Sequence, residues 1–263
     1  MSAISPNALQ GPNISDSPLT EGGRPLSDLP FDRVSAIECH RLSHKRWLQQ
    51  LLDDFKKGVA RRWQRERRRR KIGRAYDMAL EIAPLVPSGS HLLDVGCGNG
   101  FIAHHLGALL GSSVTGIDLP GTTEAQIDYR QFDGTAFPIK NHTVDAILFC
   151  YVLHHAQELR TLLAEVRRTL RDGGLVIVYE DIPRGQWDRI ICGIHNLKWR
   201  SRTGPCTFRG ERGWYETFAS EGFELCQTRP LSRWRNLAHP VSRRFFLFRA
   251  ASNKRGNDFD LKS

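Results

Sequence analysis

No stretch of this 263-residue chain approaches the roughly 20 consecutive apolar residues needed to cross a bilayer. The opening MSAISPNALQGPNISDSPLT has neither a cationic start nor an apolar centre, so no secretory leader is expected there. Six cysteines lie scattered at 39, 97, 150, 192, 206 and 226, with no C-x-x-C pair among them. That spacing argues against a disulfide frame or a zinc site and for reduced thiols in the cytoplasm. No set of residues is read as a metal site. No internal repeat is visible, and the one low-complexity element is a run of arginines. Apolar residues at 40% and charged ones at 25% are ordinary proportions, which excludes wholesale disorder.

What is present in excess is positive charge, and it is unevenly spread. The net +10 divides into −3 over residues 1–40, +11 over 41–74, −7 over 75–183 and +9 over 184–263. An acidic middle lies between two basic flanks, so any polyanionic partner belongs to the flanks.

Residues 1–40 and 253–263 are rich in small and polar residues without hydrophobic periodicity, and both are expected to be flexible tails. Between 41 and 83 a basic helical arm of one or two helices is predicted. Leu48, Leu51, Leu52, Phe55 and Val59 recur at steps of three and four; Tyr76, Ala79, Leu80 and Ile82 resume an apolar face before Pro84 and Pro87 stop the helix. Residues 84–252 alternate between strand and helix. Strands are predicted at 91–95, 113–117, 127–131, 144–150 and 174–179, with helices at 101–110 and 159–170. Such alternation argues a parallel sheet covered on both faces. Residues 184–210 read as irregular; a helix near 212–221 and strands at 223–228 and 244–249 close the pattern.

The most informative stretch is His91-Leu-Leu-Asp94-Val-Gly96-Cys97-Gly98-Asn99-Gly100. A strand running through G-x-G into a helix lets backbone and helix N-terminus approach a ligand closely. A dinucleotide fingerprint needs its third glycine at position 101, which is Phe here. G-x-G-x-G preceded by L-D-V favours S-adenosylmethionine over NAD. Asp118 ends the second strand, where a carboxylate can accept both hydroxyl protons of a ribose. Asp133, after the third strand and followed by Ala136-Phe137-Pro138, can accept an adenine amino proton.

Taken in order, LLDVGCGNG, TGIDLP, FDGTAFPI, VDAILFCYVLHH and LRDGGLVIVYED resemble the motifs of class I S-adenosylmethionine-dependent methyltransferases, within the group acting on small molecules and lipids. The match spans about residues 88–183. It implies an α/β, Rossmann-like sheet of seven strands with an antiparallel last strand. By the same resemblance Asp94, Gly96, Cys97 and Gly98 would hold the methionine end of the cofactor. Asp118 and Leu119 would hold the ribose, Asp133 and Gly134 the adenine, and the Cys150 backbone the region beside the sulfonium. One departure is the short connection of fourteen residues between Asp118 and Asp133, which lacks the usual helix.

Methyl transfer needs alignment and, for some acceptors, removal of a proton. His155 after the fourth strand and Glu180 at the end of the fifth are the favoured catalytic candidates, ahead of His154 and Asp181. Residues 184–211, with Trp187, Trp199 and several arginines, are expected to form a substrate cap. Gly204-Pro205-Cys206 is read as a loop with a bystander thiol. In the arm, all eight residues of 61–71 other than Trp63, Gln64 and Glu66 are basic, dense enough to contact RNA or an anionic membrane surface. The leading expectation is a small-molecule or lipid acceptor; the alternative is an RNA methyltransferase docking through the arm. Cys150-Tyr151-Val152 stands where base-amine enzymes carry D/N-P-P-Y/F, which counts against that chemistry.

Overall fold

The computed structural model describes the backbone of residues 33–251 and the side chains of 46–251; the expected tails over 1–32 and 253–263 lie outside the described residues. The chain divides into two units between Arg65 and Glu66. In the first, α1 (Arg33–Ile82) begins, so the helix starts eight residues inside the expected N-terminal tail. From Arg46 to Arg65 its apolar side chains, Leu48, Leu51, Leu52, Phe55 and Val59 among them, are exposed.

In the second unit, the end of α1 buries Ala75, Met78, Ala79 and Ile82 rather than Tyr76 and Leu80. The buried face is turned by about one residue from the expected one. Tyr76 instead sets its ring edge against His105 at 5.3 Å. A short 3-10 turn, Ala83–Leu85, ends the helix at the prolines.

The core is one seven-stranded sheet. Its strands are β1 (Leu92–Val95), β2 (Val114–Asp118), β3 (Asp128–Gln131), β4 (Val144–Cys150), β5 (Leu170–Asp181), β6 (Phe223–Leu231) and β7 (Arg243–Ala250). The order is β3-β2-β1-β4-β5-β7-β6, parallel from β3 through β5, with β7 antiparallel to both β5 and β6. Asp172-Gly173-Gly174 does not form a separate turn. It is absorbed into the start of β5, where pairing with β4 slips between Val144 and Ala146.

Alternation along the strands divides the core in two. Leu93, Ile147, Phe149, Val176 and Val178 face α3 (Leu159–Thr169) and α5 (Glu211–Ser220), which add Leu163, Val166, Trp214 and Phe218. Leu92, Leu148, Ile177 and Tyr179 face α2 (Phe101–Leu110) and the end of α1. Residues 184–210 are not irregular: α4 (Gln186–Thr203) spans 18 of them, between Gly185 and Gly204. Trp187, Ile190, Ile194 and Leu197 carry the helical spacing of three, four and three, and all four are exposed.

Candidate functional site

A parallel order that reverses direction beside β1 leaves a crevice at the carboxyl ends of β1 and β4. Here it is a cavity of about 510 Å³. Its wall includes Asp94, Gly96, Cys97, Gly98, Cys150, Tyr151, His154, Asp181, His195, Arg235, His239 and Arg243. Lys71, Arg74 and Met78, at the end of α1, also line it, so the C-terminal part of the basic arm belongs to the site.

The glycine loop is tightly folded. Gly96 takes φ +72°, and a Cβ there would lie 2.3 Å from Val152 Cγ2, so only glycine lets the loop pass the exit of β4. Asp118 ties the loop down: its Oδ2 accepts from the Gly98 N–H at 2.7 Å and its Oδ1 from the Leu119 N–H at 2.7 Å. The short β2–β3 connection folds back on the loop. The Glu124 and Ala125 amides donate to Asn99 O at 3.1 and 3.0 Å, and the Asn99 side-chain amide donates to Glu124. Arg68 holds the outer face of Glu124 at 2.8 Å.

Asp94 is buried at the end of β1, and neither of its carboxylate oxygens has a partner among the described residues. Burial, reinforced by Asp118, pushes its carboxyl up to about 7. Asp133 is exposed and outside the cavity wall. Its Oδ1 accepts from Ala136 N, Thr135 Oγ1 and Thr135 N, which lowers it to about 2. Gly134 lies beside Leu119, whose Cδ2 would be 3.7 Å from a Cβ there.

Of the four candidates at the ends of β4 and β5, the cavity is lined by His154 and Asp181, not by His155 and Glu180. The two favoured residues stand behind. Glu180 is fully buried, its Oε1 accepting from Leu153 N at 2.7 Å and its Oε2 from His154 Nδ1 at 2.8 Å. His155 Nδ1 meets Thr203 Oγ1 at 3.0 Å, and burial followed by its histidine neighbours lowers it to about 3. Asp181 accepts from His239 Nε2 at 2.8 Å and Arg243 Nε at 2.9 Å. Sequence reading placed His195 in the expected cap without a role and missed Arg235, His239 and Arg243. They come from α4, the segment before β7 and the first residue of β7, far along the chain, and no local motif marks them. Cys206 is no distant bystander, since its Sγ lies 3.3 Å from His155 Nδ1.

Residues 93–178 match a family model described as a methyltransferase domain. With the sheet order and the glycine loop of this site, the match identifies residues 93–178 as a methyltransferase domain. The chain is 24% identical over 178 residues to a sterol 4-C-methyltransferase of Caenorhabditis elegans, covering 55% of this chain and 53% of that protein. It is 32% identical over 108 residues to a tRNA (carboxymethyluridine(34)-5-O)-methyltransferase of Macaca fascicularis, covering 38% of this chain and 16% of that one. The chain thus spans about half or less of the length of these relatives. Geranyl diphosphate methyltransferase, solved in complex with S-adenosylmethionine, shares the fold with a TM-score of 0.55 at 16% identity, covering 67% of this chain and 84% of that one. S-adenosylmethionine is the cofactor of this methyltransferase class, and the site fits it: a buried carboxylate without a partner suits a cationic ligand, and the glycine loop leaves room for a close approach. Among the described residues no helix is long and apolar enough to cross a membrane.

Proposed function

We propose that the protein is an S-adenosylmethionine-dependent methyltransferase acting on a small-molecule or lipid-like acceptor. The observation that carries this reading is the unpartnered Asp94 carboxylate, facing the same cavity as His154, His195 and Asp181. Asp94 and Gly96 to Gly98 would take the methionine end, with Cys150 beside the sulfonium. Asp118 and Leu119 would take the ribose, and Asp133 and Gly134 the adenine edge. When bound, the cofactor supplies a sulfonium methyl group for in-line displacement. The chain's own work is to hold the acceptor in line and to exclude water.

His154, Asp181, His195 and His239 wall the acceptor end, where an acceptor hydroxyl would meet imidazole nitrogens. Glu180 is a positioning residue in this reading, since it orients His154. His155 contributes through its Nε2, which lies 3.2 Å from His195 Nε2. Arg235 and Arg243 in the same wall suit an anionic group on the acceptor.

The cavity has the size of a small-molecule site. α4 contributes His195 to its wall and presents Trp187, Ile190, Ile194 and Leu197 outward; beside it, Trp234 and Leu237 are exposed as well. Exposed apolar residues gathered near a cavity favour a lipid-like acceptor. The second reading, an RNA acceptor, draws on the exposed arginines of α1 and on the tRNA-modifying relative. Free Cys97, Cys150, Cys192, Cys206 and Cys226 support a reducing, cytoplasmic setting.

Incubation with methyl-labelled S-adenosylmethionine and cell extract, fractionated afterwards into lipid, small-molecule, RNA and protein pools, tests this. Label in the lipid or small-molecule pool is expected; label confined to RNA would establish the second reading, and none in any pool would overturn both.

A further inference from the structure

We propose that His154, His155 and His195 form a binding site for a divalent transition-metal ion of the zinc type, set in the cavity wall at its acceptor end. The three Nε2 atoms converge: His195 Nε2 lies 3.4 Å from His154 Nε2 and 3.2 Å from His155 Nε2. Nitrogens bound to one tetrahedral zinc at 2.0–2.1 Å are separated by about 3.3 Å. Both contacts of His195 Nε2 stand near that spacing, and the ligand nitrogens of all three residues lie within 4.8 Å of one another.

Proton counting points the same way. The Glu180 carboxylate accepts at 2.8 Å from His154 Nδ1, which therefore carries that ring's hydrogen and leaves Nε2 as a lone pair. His155 Nδ1 faces Thr203 Oγ1 at 3.0 Å and Cys206 Sγ at 3.3 Å; where it donates to the Thr203 hydroxyl, which can itself donate to Trp199 O at 3.3 Å, its Nε2 is again a lone pair. His195 Nε2 faces both and has at most one proton to offer. That proton can at best be shared between the two contacts, whereas a cation among the three nitrogens satisfies all of them.

The surroundings have the character of a metal site. A carboxylate behind one ligand and a hydroxyl behind another fix ring orientation, as second-layer partners of metal-bound histidines do. Three imidazoles with a fourth position open to a cavity are the pattern of a reactive rather than a purely structural zinc. His154 and His195 line the cavity, so the open position faces it. An oxygen of the acceptor could bind there and become more acidic. That use of the ion rests on the proposed methyltransferase reading; the binding of the ion does not.

The test uses the full-length protein without an affinity tag, equilibrated with micromolar zinc, exchanged into metal-free buffer and assayed for bound metal. About one zinc per chain is expected. Cobalt substitution should give the visible absorption of a four-coordinate ion. His195→Ala and His155→Gln, at half-buried positions, should each lower occupancy at least tenfold, while His104→Ala, on the exposed face of α2, should not. Buried His154 is avoided because its variant could unfold. Absence of zinc from the wild type, or equal zinc in the wild type and both variants, would overturn the site. Calorimetry with S-adenosylmethionine on the same samples separates the two readings. Zinc without cofactor binding sinks the proposed function alone, and cofactor binding without zinc sinks the metal site alone.

Discussion

At the scale of single residues, Asp94 and Asp118 divide two tasks that their spacing in the sequence does not distinguish. Asp94 is buried in the cavity wall with no hydrogen-bond partner among the described residues. Its folded pKa of about 7 lies above the ordinary value of 3.8, so the folded state holds the proton more tightly than the unfolded one. Its favourable contribution is therefore complete below about pH 4 and lost as pH rises through about 7. Asp94→Asn should leave thermal stability nearly unchanged at pH 4 and raise it at pH 8, by up to about 4 kcal/mol for a shift of this size. Cofactor affinity should fall about ten- to a hundredfold, and calorimetry beside melts at the two pH values checks both. A variant that gains stability and keeps its affinity would remove Asp94 from the cofactor site. Asp118 spends both oxygens on backbone amides. Asp118→Ala should weaken cofactor binding by a similar factor while the sheet stays folded. Hydrogen exchange should show faster loss at the Gly98 and Leu119 amides than at β1 or β4. Uniform acceleration across the sheet would instead make Asp118 a general stability residue.

At the scale of elements, α4 is the piece on which the site most depends. Its first turn is fastened by buried Asp188, which accepts from Arg184 N at 3.1 Å, Arg233 at 3.1 Å and Ser242 N at 3.4 Å. Two turns later His195 reaches the cavity wall, its ring 5.0 Å from that of His239. Asp188→Ala should cost about 1–3 kcal/mol, less than for a fully buried pair because Arg233 keeps contact with water. Limited proteolysis should then open α4 before the sheet, a difference that intact protection of α4 would contradict. Sequence reading took this segment as irregular despite the helical spacing of Trp187, Ile190, Ile194 and Leu197, because their stripe faces outward and the surrounding arginines and glycines argue for a loop when read alone. The end of α1 errs in the other direction. Tyr76 and Leu80 are apolar enough to suggest burial, whereas Ala75 and Met78 fill the space against the sheet.

For the whole molecule, the division of charge sets a prediction about location. Arg61, Arg62, Arg65, Arg69 and Arg70 can be neutralised together without touching Arg68, which braces Glu124 over the glycine loop, or Lys71 and Arg74, which line the cavity. The fivefold variant should keep cofactor affinity within about twofold and lose binding to anionic vesicles or to RNA. In the wild type that binding should weaken as salt rises, because exposed charges are screened within about 10 Å at 0.1 M. A larger loss on vesicles supports a lipid-like acceptor, and a larger loss on RNA supports the alternative. No binding by the wild type at low salt would leave the arm a solvated face.

The sequence by itself determined the sheet and its glycine loop. These depend on contacts within short segments: strands buried on both faces read as apolar runs, and a tight phosphate-free turn beside a ligand demands glycine wherever it occurs. Asp94 near the end of β1, Asp118 at the end of β2 and Asp133 two residues after β3 were singled out from the same short segments. Only the tertiary structure decided which titratable groups share the cavity. His154 and His155 are neighbours in the chain, yet one lines the wall and the other stands behind it, because a 3-10 turn sets successive side chains about 120° apart. His195 joins them from forty residues away, carried by a helix that the sequence pattern conceals. Burial, which sets the Asp94 carboxyl near 7, likewise arises only when the distant segments close over it.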